Sequence, residues 1–335
     1  MTALLSAAAT AEARPSRGWP AKTLDTEQLI HRRVARAVAL GSNLASEIRD
    51  PAAFAVRLAA AFSELADPGY RNSQVFIAPG IGPTHGVRSP LQVALRKGFE
   101  RTSRRSSTAE LLLVADRMLH EPAREARWFA IATLERTIAT EPERTWQLLR
   151  RAAAEAGDWI TVDTLAHPYG KGILADAYRW AELEQLTVSP SRWERRLVGS
   201  TIATIPFVNR TTGRTPEIVR HGLEVLGALI GDAEPDVQKA LAWGYRSMAM
   251  VNRDAAAAAL ESEASVAARR LDGNRAWVVR DSLSKIEPTI AAQIRTVLGT
   301  VRRRRNAPAT STASELATRF ADMGLGRRMP EPPLA

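Results

Sequence analysis

The chain has 335 residues, 45% of them hydrophobic, enough to bury the core of one large or two ordinary domains. Its net charge of +10 comes from 46 basic against 36 acidic residues, and only five of the basic ones are lysines (Lys22, Lys97, Lys171, Lys239 and Lys285). The absence of cysteine excludes disulfides, thiol nucleophiles and thiolate metal sites, and five scattered histidines without HxxxH spacing give no reason to expect a metal. Carboxylates, arginines and aromatics are left to carry any chemistry.

An arginine-rich excess is the electrostatic footprint of a nucleic-acid binder, because the planar guanidinium offers several donors to phosphate. Genomic base composition is another source of the Lys/Arg ratio, but the net positive charge still calls for an anionic partner or a solubility role. No apolar run approaches the roughly 20 residues that span a bilayer, so no membrane partner is expected. Met1 to Thr10 has an apolar stretch without a basic region ahead of it, a poor signal peptide. A cytoplasmic, nucleoid-associated protein of bacterial type is expected.

Residues 1–24, rich in Ala, Ser, Pro and Arg, are expected to form a flexible tail. Apolar residues then recur at helical spacing in block after block, and strand-like alternation is nearly missing. The pattern predicts helices over 26–47, 52–66, 90–101, 108–119, 124–139, 142–156, 158–167, 171–185, 191–205, 216–230, 235–250, 253–270 and 274–298. Several have proline near their first turn, as in Ser89-Pro90, Ser189-Pro190, Thr215-Pro216 and Glu234-Pro235. Asp67 to Arg88, rich in Gly and Pro, reads as an irregular crossing between an N-terminal helical layer and the main body. From 108 to 290 the helices come in pairs of about 35–45 residues, the size of HEAT-type repeats. The expected architecture is a single all-α, HEAT-like-repeat α-solenoid over 25–305, with a concave basic groove able to hold a duplex. Arg302 to Arg305 reads as a solvated helix end, with an auxiliary DNA contact as the alternative, and 306–335 as a second flexible tail.

Three segments put tryptophan and charge on one helical face. Trp159 and Asp163 are four residues apart in Asp158-Trp159-Ile160-Thr161-Val162-Asp163, and Trp193 and Arg196 are three apart in Trp193-Glu194-Arg195-Arg196. Lys239 and Trp243 are four apart in Val237-Gln238-Lys239-Ala240-Leu241-Ala242-Trp243. Any one of them reads as well as an amphipathic helix with a core tryptophan. Their order and wording, however, resemble the AlkD-like DNA alkylation repair family, the HEAT-like-repeat alkylpurine DNA glycosylases. Gly86-Val87-Arg88-Ser89-Pro90 is similar to that family's lead-in to an early helix, and Arg124-Glu125-Ala126-Arg127-Trp128-Phe129-Ala130 resembles its acidic-basic helix start. The resemblance covers about 85–285 and leaves the first two helices and both tails unexplained.

The resemblance implies a monofunctional glycosylase that hydrolyses the N-glycosidic bond of cationic N3- or N7-alkylated purines in double-stranded DNA, without base flipping. By motif position Asp163 is the catalytic carboxylate, Trp159 and Trp243 contact the lesion's deoxyribose, and Arg196 meets a flanking phosphate, as do Arg195 and Lys239. Neither cofactor nor metal is implied, and a monomer is compatible with a duplex-wrapping superhelix. The chain departs from the family pattern at Ile160, where an acid is usual, at Ala242, where a glycine is usual, and at Tyr245-Arg246-Ser247, where Leu-Arg-Glu is usual.

An alkylated cationic purine leaves as a neutral base, so no general acid is needed and one carboxylate can stabilise the positive charge that develops on the sugar. Indole faces attract the same charge. Lys239 could in principle serve as a Schiff-base nucleophile, but a phosphate contact or a plain surface lysine accounts for it better. His167 is expected to close the helix that carries Asp163, as a cap. Two other readings are a catalytically inactive HEAT-like DNA-binding scaffold and an α-solenoid that binds acidic proteins; weak, salt-insensitive binding to plain duplex would mark the latter.

Overall fold

Proline at the first helical position, with a capping side chain just before it, recurs along the chain and opens one helix after another in the computed structural model, which describes residues 24–325. Asp50 accepts the amides of Ala52 and Ala53, Asp67 that of Tyr70, Thr215 that of Ile218 and Glu287 that of Ile290, each ahead of a first-turn proline. Ser107 and Glu110 form a reciprocal capping box.

The helices so defined are α1 (Leu24–Leu44), α2 (Pro51–Leu65), α3 (Pro68–Ile77), α4 (Ser89–Thr102), α5 (Thr108–Leu119), α6 (Arg124–Thr137), α7 (Pro142–Glu155) and α8 (Trp159–Ala175). They continue as α9 (Arg179–Gln185), α10 (Arg192–Val208), α11 (Pro216–Leu229), α12 (Pro235–Val251), α13 (Arg253–Arg270), α14 (Gly273–Ser282), α15 (Pro288–Leu298) and α16 (Thr312–Asp322). No strand occurs among the described residues. None of these helices is long and apolar enough to cross a membrane.

Helices α4, α6, α8, α10, α12 and α14 pack in succession as one row. A second row, with α5, α7, α11, α13 and α15, packs onto the first, so each helix pair buries its apolar faces against the next pair. This is the HEAT-like α-solenoid that the periodicity predicts. Phe54 of α2, Phe99 of α4 and Phe129 of α6 meet with ring centroids 5.2–5.7 Å apart and seat the N-terminal helices on the row.

One glycine sets the spacing at the centre of the row. A Cβ on Gly199 of α10 would lie 2.8 Å from backbone atoms of Ala240 and Leu241 in α12. Gly199→Ala is therefore expected to force the two helices apart and to lower stability by about 1–3 kcal/mol, seen as a reduced thermal midpoint. An unchanged midpoint would show that α12 yields freely.

The structure departs from the predicted elements at four places. Asp67 to Arg88 contains α3, opened by Asp67-Pro68 and turned over its second half by Gly86 at φ +81°, where a Cβ would lie 2.5 Å from that of Arg71. Helix α8 runs through Pro168 to Ala175 instead of stopping at 167, because its buried face packs between α7 and α10. The predicted helix 274–298 is two helices, parted at Ile286-Glu287-Pro288. The expected C-terminal tail contains α16, whose Ala313, Ser314 and Ala317 are buried and whose Ser314 Oγ lies 2.8 Å from Asp232 Oδ2. Residues 1–23 of the expected N-terminal tail and residues 326–335 lie outside the described residues.

Candidate active site

Asp158 caps α8 by accepting the amides of Ile160 and Thr161 at 2.9 and 3.0 Å, which fixes the start of the helix and with it the angular positions of Trp159 and Asp163. The cap is itself held: the Thr161 hydroxyl donates to Asp158 at 2.6 Å and receives the Trp128 indole N–H at 3.2 Å.

Asp163 faces α10. Arg196 donates to it bidentately, Nε to Oδ1 at 3.1 Å and Nη2 to Oδ2 at 2.8 Å, and Ser200 Oγ donates to Oδ1 at 2.6 Å. The third guanidinium nitrogen, Nη1, donates to the backbone carbonyl of Asp236 at 2.7 Å, so one arginine ties α8, α10 and the first turn of α12 together. The Arg196 side chain is 7% exposed and that of Asp163 21%. Water reaches the carboxylate but scarcely reaches the arginine. Oδ1 thus has two donors and Oδ2 one, which leaves an acceptor position on Oδ2.

Trp159 lies beside this pair, with the Arg196 guanidinium carbon 5.8 Å from its ring centroid. Its indole N–H donates to the Ile77 carbonyl of α3 at 3.1 Å, which pins the ring. Trp159 is also a wall of a cavity of about 340 Å³ whose lining includes Tyr70, Gln92, Arg96, Trp128 and Thr164, the residue after Asp163. Trp243 is half-buried on α12, seven residues after Asp236 and so on the same face.

The other sequence candidates divide. Lys239 is exposed on α12, with no hydrogen bond or ion pair among the described residues. Arg195, expected to meet a phosphate, is bonded within the protein. It points away from Asp163 into the protein, where Nε meets Asp232 Oδ2 at 2.8 Å and Nη1 meets the Ser189 carbonyl at 2.8 Å; the two side chains are 9% and 1% exposed. Arg196 likewise spends its donors inside the protein, so it is placed to orient Asp163.

His167 is not a cap. It lies in mid-helix, one turn after Asp163, where its Nδ1 is 3.1 Å from Glu135 Oε1, and Lys171 Nζ reaches the same oxygen at 2.7 Å. Burial pushes the Glu135 carboxyl upward, but His167 and Lys171 together outweigh it and bring the value down to about 2. A carboxyl held below its unfolded value of about 4.3 stabilises the fold above that value and loses the contribution as pH falls toward 2. Glu135→Gln is accordingly expected to flatten the acid limb of the stability profile between about pH 4.5 and 2, followed by thermal melts; a limb unchanged by the substitution would contradict this.

Sequence reasoning missed Ser200, although it stands four residues after Arg196 and so on the same helical face. It also missed how the two N-terminal motifs meet. Glu125, fully buried, accepts the amides of His85, Gly86 and Val87 at 2.9–3.2 Å and the Thr84 hydroxyl at 2.6 Å, and so holds the lead-in to α4. Its neighbour Arg124, also fully buried, stacks on Trp128 at 4.3 Å. No group of three or more potential metal-ligating side chains occurs among the described residues.

A helical-repeat protein with a carboxylate clamped beside an indole matches, over residues 58–286, the family described as DNA alkylation repair enzyme. The match spans about two thirds of the chain. The chain belongs to this family. The matched region runs from α2 to the segment just before α15, and it contains Trp159, Asp163, Arg196, Ser200 and Trp243. No curated protein is similar enough to count as a match. Family membership makes the chain a DNA repair enzyme with DNA as its substrate.

Proposed function

We propose that this protein is a monofunctional DNA glycosylase that hydrolyses the N-glycosidic bond of cationic N3- and N7-alkylpurines in duplex DNA. The observation that carries the reading is Asp163: its carboxylate is locked by Arg196 and Ser200, yet Oδ2 keeps an acceptor position in a side chain that water reaches.

The alkylated purine departs as a neutral base and leaves positive charge on the sugar. Asp163 stabilises that charge, and Oδ2 orients the water that attacks the anomeric carbon and accepts its proton. Arg196 offsets part of the negative field, and what it contributes in return is orientation. A fixed carboxylate acts without the reorganisation that a mobile one needs, and one such group is worth about 3–4 kcal/mol of transition-state stabilisation. The indoles of Trp159 and Trp243 add cation attraction of roughly 0.5–2 kcal/mol each when desolvated. The lesion is held from its backbone side, without a base-reading pocket, and the cavity next to Trp159 gives room for substituents larger than methyl. A nucleophilic lysine is activated by desolvation; Lys239 stands in solvent, which fits a hydrolase without lyase activity.

The chemistry is tested by lesion charge and by strand integrity. Duplexes carrying 7-methylguanine, and duplexes carrying an uncharged alkylated base such as O6-methylguanine, are incubated with the protein and analysed before and after alkali. Base release confined to the cationic lesion, with strand breaks only after alkali, is expected. Equal release of the neutral lesion would overturn the leaving-group argument, and breaks before alkali would overturn the monofunctional assignment.

A further inference from the structure

The C-terminal side of the family match carries a group of arginines that the candidate site does not use. After α15 the chain turns back, and Arg302 to Arg305 lie in a segment outside the helices, against the first turns of α12 and α14. The segment is built into the fold. A Cβ on Gly273, at the start of α14, would lie 2.2 Å from the Arg302 carbonyl oxygen, so the two backbones touch. Arg280 of α14 donates to the carbonyls of Val301 and Gly299 at 2.6 and 3.1 Å.

Arg303 is the anchor. Its Nη1 meets Gln238 Oε1 at 2.5 Å and its guanidinium lies 5.3 Å from the Trp277 ring centroid. Gln238 is fully buried, and its amide nitrogen is fixed by the Asp232 carbonyl at 2.6 Å and by Asn274 Oδ1 at 3.2 Å. Asn274 in turn donates to the Pro308 carbonyl at 2.8 Å, which closes the segment on its far side.

None of Arg280, Arg302, Arg303, Arg304 and Arg305 is paired with a carboxylate among the described residues, whereas most arginines of the α6–α12 region are. Arg304 and Arg305 are exposed, and among the described residues their side chains make no hydrogen bond. Burial, and to a lesser degree the charge of Arg302, lowers the basicity of Arg280. A merely solvated run needs neither a buried glutamine nor an indole to hold it, and crowding five cations without a counterion costs repulsion in the free protein. The cost is recovered when a polyanion supplies the charge. Lys239, exposed and unpaired, is the residue after Gln238, and Asp236, whose carbonyl receives Arg196, is two residues before it. The unpaired cations therefore begin beside the candidate site and extend along the row to α14.

We propose that Arg304 and Arg305, which lie beyond the family-matched region and are presented by the Arg303 anchor, form a second contact with the DNA phosphate backbone that Lys239 continues toward the candidate site. The inference rests on the DNA-substrate reading above, and the test separates the two. Binding of an unmodified duplex is measured by fluorescence anisotropy from 50 to 200 mM salt for the wild type, for Arg304→Ala/Arg305→Ala and for Arg304→Lys/Arg305→Lys. Each phosphate contact contributes about 0.9 to the slope of log K against log salt. Losing two contacts should therefore make the affinity lost across this range about tenfold smaller in the alanine variant. The lysine variant should keep the wild-type slope, and base release at saturating protein should be unchanged in both. An alanine variant with the wild-type slope would overturn the second contact and leave the glycosylase reading intact. A wild-type protein whose duplex binding ignores salt would overturn both.

Discussion

Arg195→Ala is expected to cost about 3–5 kcal/mol of stability and to leave the salt dependence of duplex binding unchanged. Asp232, 1% exposed, receives Arg195 Nε, Ser314 Oγ and the Glu234 amide, and its own backbone carbonyl holds Gln238. Without Arg195 it becomes a buried carboxylate with two neutral donors and no counter-charge. The Ser189 and Pro190 carbonyls, which Arg195 also satisfies, lose their donor. These contacts join α10, the segment before α12 and α16, so the loss reaches beyond one helix. Thermal melts and duplex titrations on the same variant separate the possibilities. A variant of wild-type stability with a shallower salt slope would restore Arg195 to the DNA interface.

Asp163→Asn is expected to slow base release under single-turnover conditions by about 10²–10³-fold, with duplex affinity within about threefold of wild type. The amide keeps the shape but not the charge, and its NH₂ group must face one of the donors that now converge on the carboxylate, from Arg196 or Ser200. Part of the loss is therefore electrostatic and part is a turned side chain. Because a fifth of the Asp163 side chain is already exposed, water can reach the mismatched donors, and the cost to stability should stay below that of Arg195→Ala. Rate and affinity falling together would instead assign Asp163 to binding. A rate within tenfold of wild type would remove it from the chemistry.

The pairing of Trp159 with Asp163, and of Trp193 with Arg196, was legible in the sequence because helical spacing alone puts each pair on one face. That these two faces meet was carried by the family resemblance, and the structure supplies the bidentate contact. The division of labour between Arg195 and Arg196 was not legible. Consecutive helical residues point about 100° apart, and nothing in Trp193-Glu194-Arg195-Arg196 says that Asp232, in a loop 37 residues away, takes the first while Asp163 takes the second.

A capping side chain ahead of proline marked some helix starts in the sequence, as at Thr215-Pro216, and not others, as at Glu287-Pro288, which the predicted helix 274–298 ran through. Asp67-Pro68 is such a signal, but the Gly and Pro residues that follow α3 outweighed it, and with α3 went the carbonyl that fixes Trp159. Pro168 misled in the opposite direction. Proline within a helix removes one hydrogen bond, and the packing of α8 between α7 and α10 overrides that local loss. The C-terminal helix escaped because the Ala, Ser, Pro and Arg composition of its segment outweighed the helical spacing of Ala313, Leu316, Ala317 and Phe320.

The most direct test is single-turnover release of free 7-methylguanine from duplex DNA by the wild-type protein against the spontaneous rate. Release at least a hundredfold above background is predicted. Release at the spontaneous rate, with duplex binding tight and steeply salt-dependent, would contradict the glycosylase reading and leave a DNA-binding protein whose clamped carboxylate serves only to join α8 to α10.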